Sequence, residues 1–536
     1  MNPSGQPDNS LRRFFQRHPL VADSFRWAVP ALLIGAVLRI LFTSYIPYAV
    51  WGPDSRSYYI FTHRLFYGGA FSLAEKRRYL YPLLLAPISL SPGGVMRWLP
   101  FIQHTLGLTC LLPLAYIVRR TLACWKIWII PITVLYAGFP IILYSEHELL
   151  GEHLFFATLL WSFAGWVAWV SQNDLQRARR MFWWFFVPFT LFILTKPAGR
   201  FVWPGIFVGF VLVAAWRLLS RKQIVALLAL LLITPTVGSR KQGAWILYTS
   251  TFPLTQLDTP LHADYKAEIR DLVERMRAHL DTYYVLQYDE TYYFIRDPGD
   301  QKTLPLWQGL GNDEKLKSKI YMDLALEGIK AHPDLLLYLA WERIVASINV
   351  SAFGAEHFDD GYYVDTFAEF YKDAYESPDS SVRLALALPR TGSIAHYASL
   401  RRKFEPAPGS WMARTVQGWM GAWGQRLDFF QFPNLPKAQC GISLVRATPL
   451  GWWLLFGMFL SWLPRYRRTL GVWTLTSLVY ILAVFLVSLV SPRYVAPVWP
   501  MLLILLAVPA DVLCSAICHR LRPTAAARPE DKPAMA

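Results

Sequence analysis

Hydrophobic positions fall in long runs rather than alternating patches, and ten runs approach the roughly 20 residues that a membrane-spanning helix needs. They lie at about 27–46, 97–118, 127–144, 150–170, 182–195, 201–217, 223–238, 449–464, 470–490 and 495–517. The fifth and seventh are short enough to be tilted or broken. The pattern predicts an all-α polytopic membrane protein with about ten transmembrane helices. A polar region, 241–448, separates the 27–240 core from the C-terminal helices at 449–518. Within it, "DYKAEIRDLVERMRAHL" (264–280) and "DEKLKSKIYMDLALEGIKAH" (313–332) have helical periodicity with charges on one face. Proline and glycine punctuate the rest, as in "RDPGDQ" and "PAPGS". "PDLLLYLAWERIVASINVSAFG" is apolar but interrupted by Glu342 and Arg343, which suits a helix on the membrane surface or one that enters and returns. The first apolar run is too long for a signal-peptide core and is expected to stay as a helix. The flanking segments 1–26 and 519–536 read as cytoplasmic tails, the second rich in Pro, Ala and charge and expected to be disordered.

The composition agrees, with 54% hydrophobic and 17% charged residues. A formal charge of +16 would suggest nucleic acid in a soluble protein, but here many Lys and Arg sit in short connectors between apolar runs, which argues against that partner. With a cytoplasmic N-terminus, the inside connectors carry Arg119, Arg120 and Lys126; Arg177, Arg179 and Arg180; Arg217, Arg221 and Lys222; Arg465, Arg467 and Arg468; Arg520 and Arg522. Each inside loop then satisfies the positive-inside rule. The same alternation puts the loop 47–96, "YSEHELLGEH" (144–153), "TKPAGR" (195–200), the large polar region and "SPRY" (491–494) outside. Cys110, Cys124, Cys514 and Cys518 lie in or beside spans and Cys440 stands alone, so no disulfide framework or zinc spacing follows.

The loop 47–96 opposes the topology signal, because it places Arg56, Arg64, Lys76, Arg77 and Arg78 outside. An anionic ligand such as a lipid phosphate explains such cations, and so does a solvated, snorkelling loop. One face of the membrane thus gathers Asp54, Glu146, Glu148, Glu152, Lys196, Arg200 and Arg493. Asp54 can act as a general base toward an acceptor hydroxyl, or as a turn aspartate after "GP". Glu148 and Glu152 are spaced one helical turn apart, able to orient a base or bind hydroxyls, or to form a hydrated helix terminus. His147 and His153 are metal-ligating types, but their spacing is not HExxH, so no divalent metal or other cofactor is indicated. Lys196, Arg200 and Arg493 can hold a phosphate leaving group or anchor helix ends at the interface. "NVS" (349–351) and "HFDDG" (357–361) are short matches to a glycosylation acceptor and a cation-binding patch.

The order of these motifs resembles the GT-C glycosyltransferases, multispanning enzymes that use polyprenyl-phosphate-linked sugars. It is most similar to the bacterial branch of RgtA/B/C/D-like proteins, with aminoarabinose transferases and protein mannosyltransferases further off. The resemblance rests on "GPDSRSYY", "RRYLYPLLLAP", "LLGEHLFFATLL", "LTKPAGR", "LALEGIKAHPDLLLYLAWER" and "SPRYVAPVWPMLLILLA"; it covers roughly 25–240, 320–345 and 490–508 and leaves 345–448 unmatched. It implies a GT-C-like fold and an inverting transfer of a sugar from a polyprenyl-phosphate donor to an acceptor hydroxyl. It further implies a catalytic role for Asp54 and Glu152 and a place beside the donor phosphate for Lys196 and Arg493. Their shared outer face adds the expectation that Glu146 and Glu148 orient the acceptor, that Arg56, Arg77, Arg78 and Arg200 also meet the donor phosphate, and that Tyr58, Tyr59 and Tyr494 contact sugar or lipid. The implied partners are the lipid-linked donor, membrane lipids and a glycan, lipid or protein acceptor, and the implied location is a bacterial inner membrane with the site facing the periplasm. A single acidic residue, Asp54, in the first loop departs from the Asp-Glu pair of protein mannosyltransferases. Two other readings share this pattern: an oligosaccharide ligase or polymerase using a diphosphate-linked donor, and a flippase or transporter of lipid-linked sugars, which predicts charge within the spans.

Overall fold

A computed structural model describes residues 19–45, 49, 55, 58, 80–89, 94–236, 240–278, 313–348, 411, 414, 415, 418, 429–431, 446–487 and 494–521. The N-terminal half forms α1 (Pro19–Tyr45), α2 (Leu80–Ser89), α3 (Gly94–Thr109), α4 (Leu111–Thr121), α5 (Trp125–Ala137), α6 (Pro140–Ser145), α7 (Glu152–Val170), α8 (Leu175–Thr195), α9 (Trp203–Leu212) and α10 (Arg221–Thr236). Then come α11 (Arg240–Thr251), α12 (Ala263–Ala278), α13 (Glu314–Ala331), α14 (Pro333–Ile348), α15 (Pro449–Leu460), α16 (Val472–Val487) and α17 (Trp499–Leu521). The described strands are β1 (Phe430–Gln431) and β2 (Arg446–Ala447), an antiparallel ladder with Phe430 opposite Ala447 and Gln431 opposite Arg446. Apart from this short ladder, the described residues form an all-α membrane protein.

Among the described residues, five helical stretches are long and apolar enough to cross a bilayer: Ala22–Ser44, Arg97–Thr121, Glu152–Val170, Arg467–Leu486 and Ala496–Cys518. The other five expected spans are also helical but do not reach that standard. Trp125–Ala137, Pro197–Leu212 and Pro449–Leu460 are apolar and short, while α8 and α10 begin in the basic connectors. The run expected at 127–144 is broken: α5 stops at Ala137, and Pro140 starts the separate helix α6.

Helix starts are fixed by side chains where the sequence supplies acceptors. Asp174 caps α8, receiving the amides of Gln176 at 3.0 Å and Arg177 at 3.2 Å. Asp313 does the same for α13 through Leu316 at 2.9 Å, and Thr448 for α15 through Gly451 at 3.1 Å. Packing of α7 on α8 buries Trp166, Trp169, Phe182, Phe185 and Phe189. Gly165 permits that approach, since a Cβ there would lie 2.2 Å from the Trp184 carbonyl oxygen.

The connectors sort into two ends. At one end Arg120 donates to the Ser171 carbonyl (3.3 Å), Gln223 to the Arg179 carbonyl (2.5 Å) and the Trp166 indole to the Arg468 carbonyl (2.9 Å). Arg119 stands 3.7 Å from Asp23 at the start of α1. Buried Asp511 of α17 gathers three further groups there, accepting from the amides of Ala123 (2.8 Å) and Cys124 (2.7 Å) and from the Tyr466 hydroxyl (2.7 Å). At the other end lie the turn 146–151, Lys196 and Tyr494.

A second hydrophobic cluster, built on Tyr248, Phe252, Leu254, Tyr265, Ile269, Val273 and Leu324, joins α11 to α12 and α13. The helices expected at 264–280 and 313–332 are present, with one difference from an exposed charged face. Lys266 is buried, pairing with Glu327 at 2.6 Å and with Thr259. The apolar run that follows is α14, packed on α16. Buried Arg343 donates to the Phe485 carbonyl at 3.0 Å and to the Ser250 carbonyl, tying α14 to the end of α16 and to α11.

Candidate functional site

The turn 146–151 replaces the helical face expected to carry both Glu148 and Glu152. Helix α6 ends at Ser145 and α7 starts only at Glu152. Gln103 of α3 explains the break, because its amide nitrogen donates to the carbonyls of Glu146 (3.1 Å) and Glu148 (2.9 Å), giving acceptors of this turn a tertiary partner. The Gln103 side-chain oxygen accepts in turn from the Tyr81 hydroxyl at 3.3 Å, linking α2 to the same node.

The Glu146 side chain points into the bundle. One carboxylate oxygen receives Arg39 at 2.5 Å, and the other lies 2.6 Å from His104 Nδ1. Gly107 leaves the room for it, since a Cβ at 107 would fall 1.9 Å from Glu146 Oε1. Burial alone would raise the pKa of this carboxyl, but Arg39 and the His104 hydrogen bond outweigh it and lower it to about 2. Glu146 is therefore an anion that accepts from His104 Nδ1, and His104 Nε2 lies 3.0 Å from His147 Nδ1. Phe42 packs its edge on both imidazoles, 4.9 Å from His147 and 6.1 Å from His104 by ring centroid. Arg39 also donates to the carbonyls of Gly35 and Ala137, each at 3.2 Å.

Beside this network is a second ion pair, Lys196 with Glu152. Glu152 is 2% exposed and the Lys196 side chain 13%, so the cation is the accessible partner. Lys196 is the C-cap of α8, and its ammonium lies 5.9 Å from the Tyr494 ring centroid, within cation–π reach. Tyr58 and Tyr81 meet edge to face at 5.2 Å and pack on Gly151. Burial, followed by Tyr58, Glu152 and Glu148, holds the Tyr81 hydroxyl well above its ordinary pKa, which keeps it a neutral donor.

The expected site residues thus divide into four groups. Glu152, Lys196 and Tyr494 come together, although they lie in three distant segments. Glu146, Glu148, Tyr58 and the buried His153 adjoin them, with Glu146 facing Arg39 and His104 inside the bundle. Arg200 is exposed, its guanidinium 5.1 Å over Phe201. Asp54, Arg56, Tyr59, Arg77, Arg78 and Arg493 lie outside the described residues, as do "NVS" and "HFDDG". Among the described residues, no group of three or more His, Cys, Asp or Glu side chains is arranged to hold a metal ion. Gln103, His104 and Tyr81 were not marked by sequence. Their only signal is that Gln103 and His104 are adjacent polar residues inside an otherwise apolar span.

No family model matches the chain, and no curated protein matches it. Among solved structures, the crystal structure of the Archaeoglobus fulgidus oligosaccharyltransferase with zinc and sulfate is similar at 15% identity and a TM-score of 0.31. The alignment covers 84% of this chain and 57% of that one, so the chain spans little more than half of that protein's length. A likeness at that score carries no argument about activity.

Proposed function

We propose that the protein is an inverting membrane glycosyltransferase of the GT-C type, moving a sugar from a polyprenyl-phosphate donor to an acceptor hydroxyl on the extracytoplasmic face. The observation that carries this reading is the meeting of Glu152, Lys196 and Tyr494 at one end of an apolar helical bundle. A cation with an aromatic neighbour at that level suits a lipid-linked phosphate and its sugar. The acceptor oxygen attacks the anomeric carbon, the bond from that carbon to the phosphate oxygen breaks, and Asp54 takes the hydroxyl proton. Lys196, with Arg493, Arg200 and the cations of the first loop, stabilises the departing phosphate. The basic connectors at the opposite end face the cytoplasm in this reading, and the setting is a bacterial inner membrane.

Native mass spectrometry of the purified protein with polyprenyl phosphate tests it. Wild type should bind and a Lys196→Ala, Arg493→Ala variant should not; a folded wild type without binding would sink the reading. A diphosphate-linked donor is distinguished by comparing turnover of the two carrier types. The buried Arg39–Glu146–His104 group is the observation favouring a transporter. However, Arg39 lies six residues from the end of the 27-residue helix α1, about 9 Å along its axis. That places it toward the membrane boundary, whereas transporter sites gather near the midplane.

A further inference from the structure

We propose that Glu152 is a built-in competitor for the phosphate anion that Lys196 receives, which sets how tightly that anion is held. The inference rests on the glycosyltransferase reading above and departs from an acid–base role for Glu152. The Lys196 ammonium is engaged by a carboxylate that is 2% exposed, while its own side chain remains 13% exposed. An arriving anion therefore meets the cation first and finds it already neutralised. Two anions sharing one ammonium in a mostly desolvated place repel each other, and that repulsion subtracts from the affinity Lys196 would otherwise provide.

The arrangement also governs departure. When the anion leaves, Glu152 takes back the ammonium, so neither state leaves the cation buried without a partner. Tyr494, 5.9 Å from the ammonium by ring centroid, favours the cation in both states without competing as an anion. A neutral side chain at 152 would remove the repulsion and leave Lys196 uncompensated until an anion bound, making the site retentive.

The full-length protein is titrated with polyprenyl phosphate, and separately with inorganic phosphate, under native mass spectrometry. Glu152→Gln should bind polyprenyl phosphate at least about tenfold more tightly than wild type, equivalent to roughly 1.4 kcal/mol. A Glu152→Gln, Lys196→Met variant should lose both the gain and the binding. Tightening in both titrations identifies the phosphate group itself as the competitor of Glu152; tightening with the lipid alone identifies a headgroup that needs its chain, and either supports the proposal. Equal or weaker binding by folded Glu152→Gln overturns it, while wild-type binding still upholds the site reading. Absence of binding by every folded form overturns both. Should Glu152→Gln not fold, Glu152→Asp retains the charge but shortens its reach. It should then show smaller tightening, and unchanged affinity there would overturn the proposal.

Discussion

Glu146 shows how a single buried carboxylate is kept charged. Its pKa falls from 4.5 to about 2 despite burial, because Arg39 and His104 favour the ionised form more strongly than burial opposes it. A folded-state pKa below the unfolded one means stability that is fully present above about pH 4.5 and is lost as pH falls toward 2. Melting of the detergent-solubilised protein should show this. The gap between wild type and Glu146→Gln should shrink over that interval, and a gap independent of pH would contradict the assignment. At neutral pH the substitution leaves Arg39 buried without its counter-ion, which should cost about 3–5 kcal/mol. Gly107→Ala reaches the same node by volume, since its methyl would overlap the carboxylate. It should lower the melting temperature by the equivalent of about 1–3 kcal/mol, whereas an unchanged melt would show that the carboxylate has room to move. At the proposed catalytic position, Asp54→Asn should abolish transfer and leave polyprenyl phosphate binding intact; near-normal turnover would remove Asp54 from the mechanism.

At the scale of elements, the helices were readable and the polar nodes that lock them were not. Apolar runs of 14–23 residues declare themselves, and α12 and α13 follow from periodicity. A lone His104 or Gln103 inside such a run has no pattern, because its partners on the turn 146–151 lie more than 40 residues away. The helix expected through Glu148 fails for the same reason: a tertiary donor serves two carbonyls of the turn. Periodicity puts Lys266 on the charged face of α12, and the approach of α13 encloses it. Arg343 belongs with these hidden nodes, since an arginine in an apolar run reads as an interruption when it is in fact a fastener. Arg343→Met should loosen α14 from α16 and α11. Hydrogen exchange across 333–348 should quicken while α7 and α8 stay protected, and unchanged exchange in α14 would show that packing alone holds it.

For the whole molecule, the alternation of basic connectors anticipated which turns would share an end, and the hydrogen bonds among 120, 171, 179 and 223 bring those turns together. Which end faces the cytoplasm is a matter for labelling. With the native cysteines removed, a cysteine at Glu148 should react with an impermeant maleimide in intact cells, and one at Arg217 only after permeabilisation. The reverse pattern would invert the proposed orientation. The glycosyltransferase reading gives the unmatched segment 345–448 the task of choosing the acceptor, so exchanging that segment should change acceptor choice more than donor binding. One contact also ties architecture to synthesis. The amides of Ala123 and Cys124 are served by Asp511, and Ala123 precedes it by 388 residues. At roughly 5–20 residues per second, the ribosome needs about 20–80 s to supply that carboxylate. Through that interval the amides of Ala123 and Cys124 wait for their acceptor, and this one latch closes only after α17 has been made, long after the packing of α7 on α8 is available.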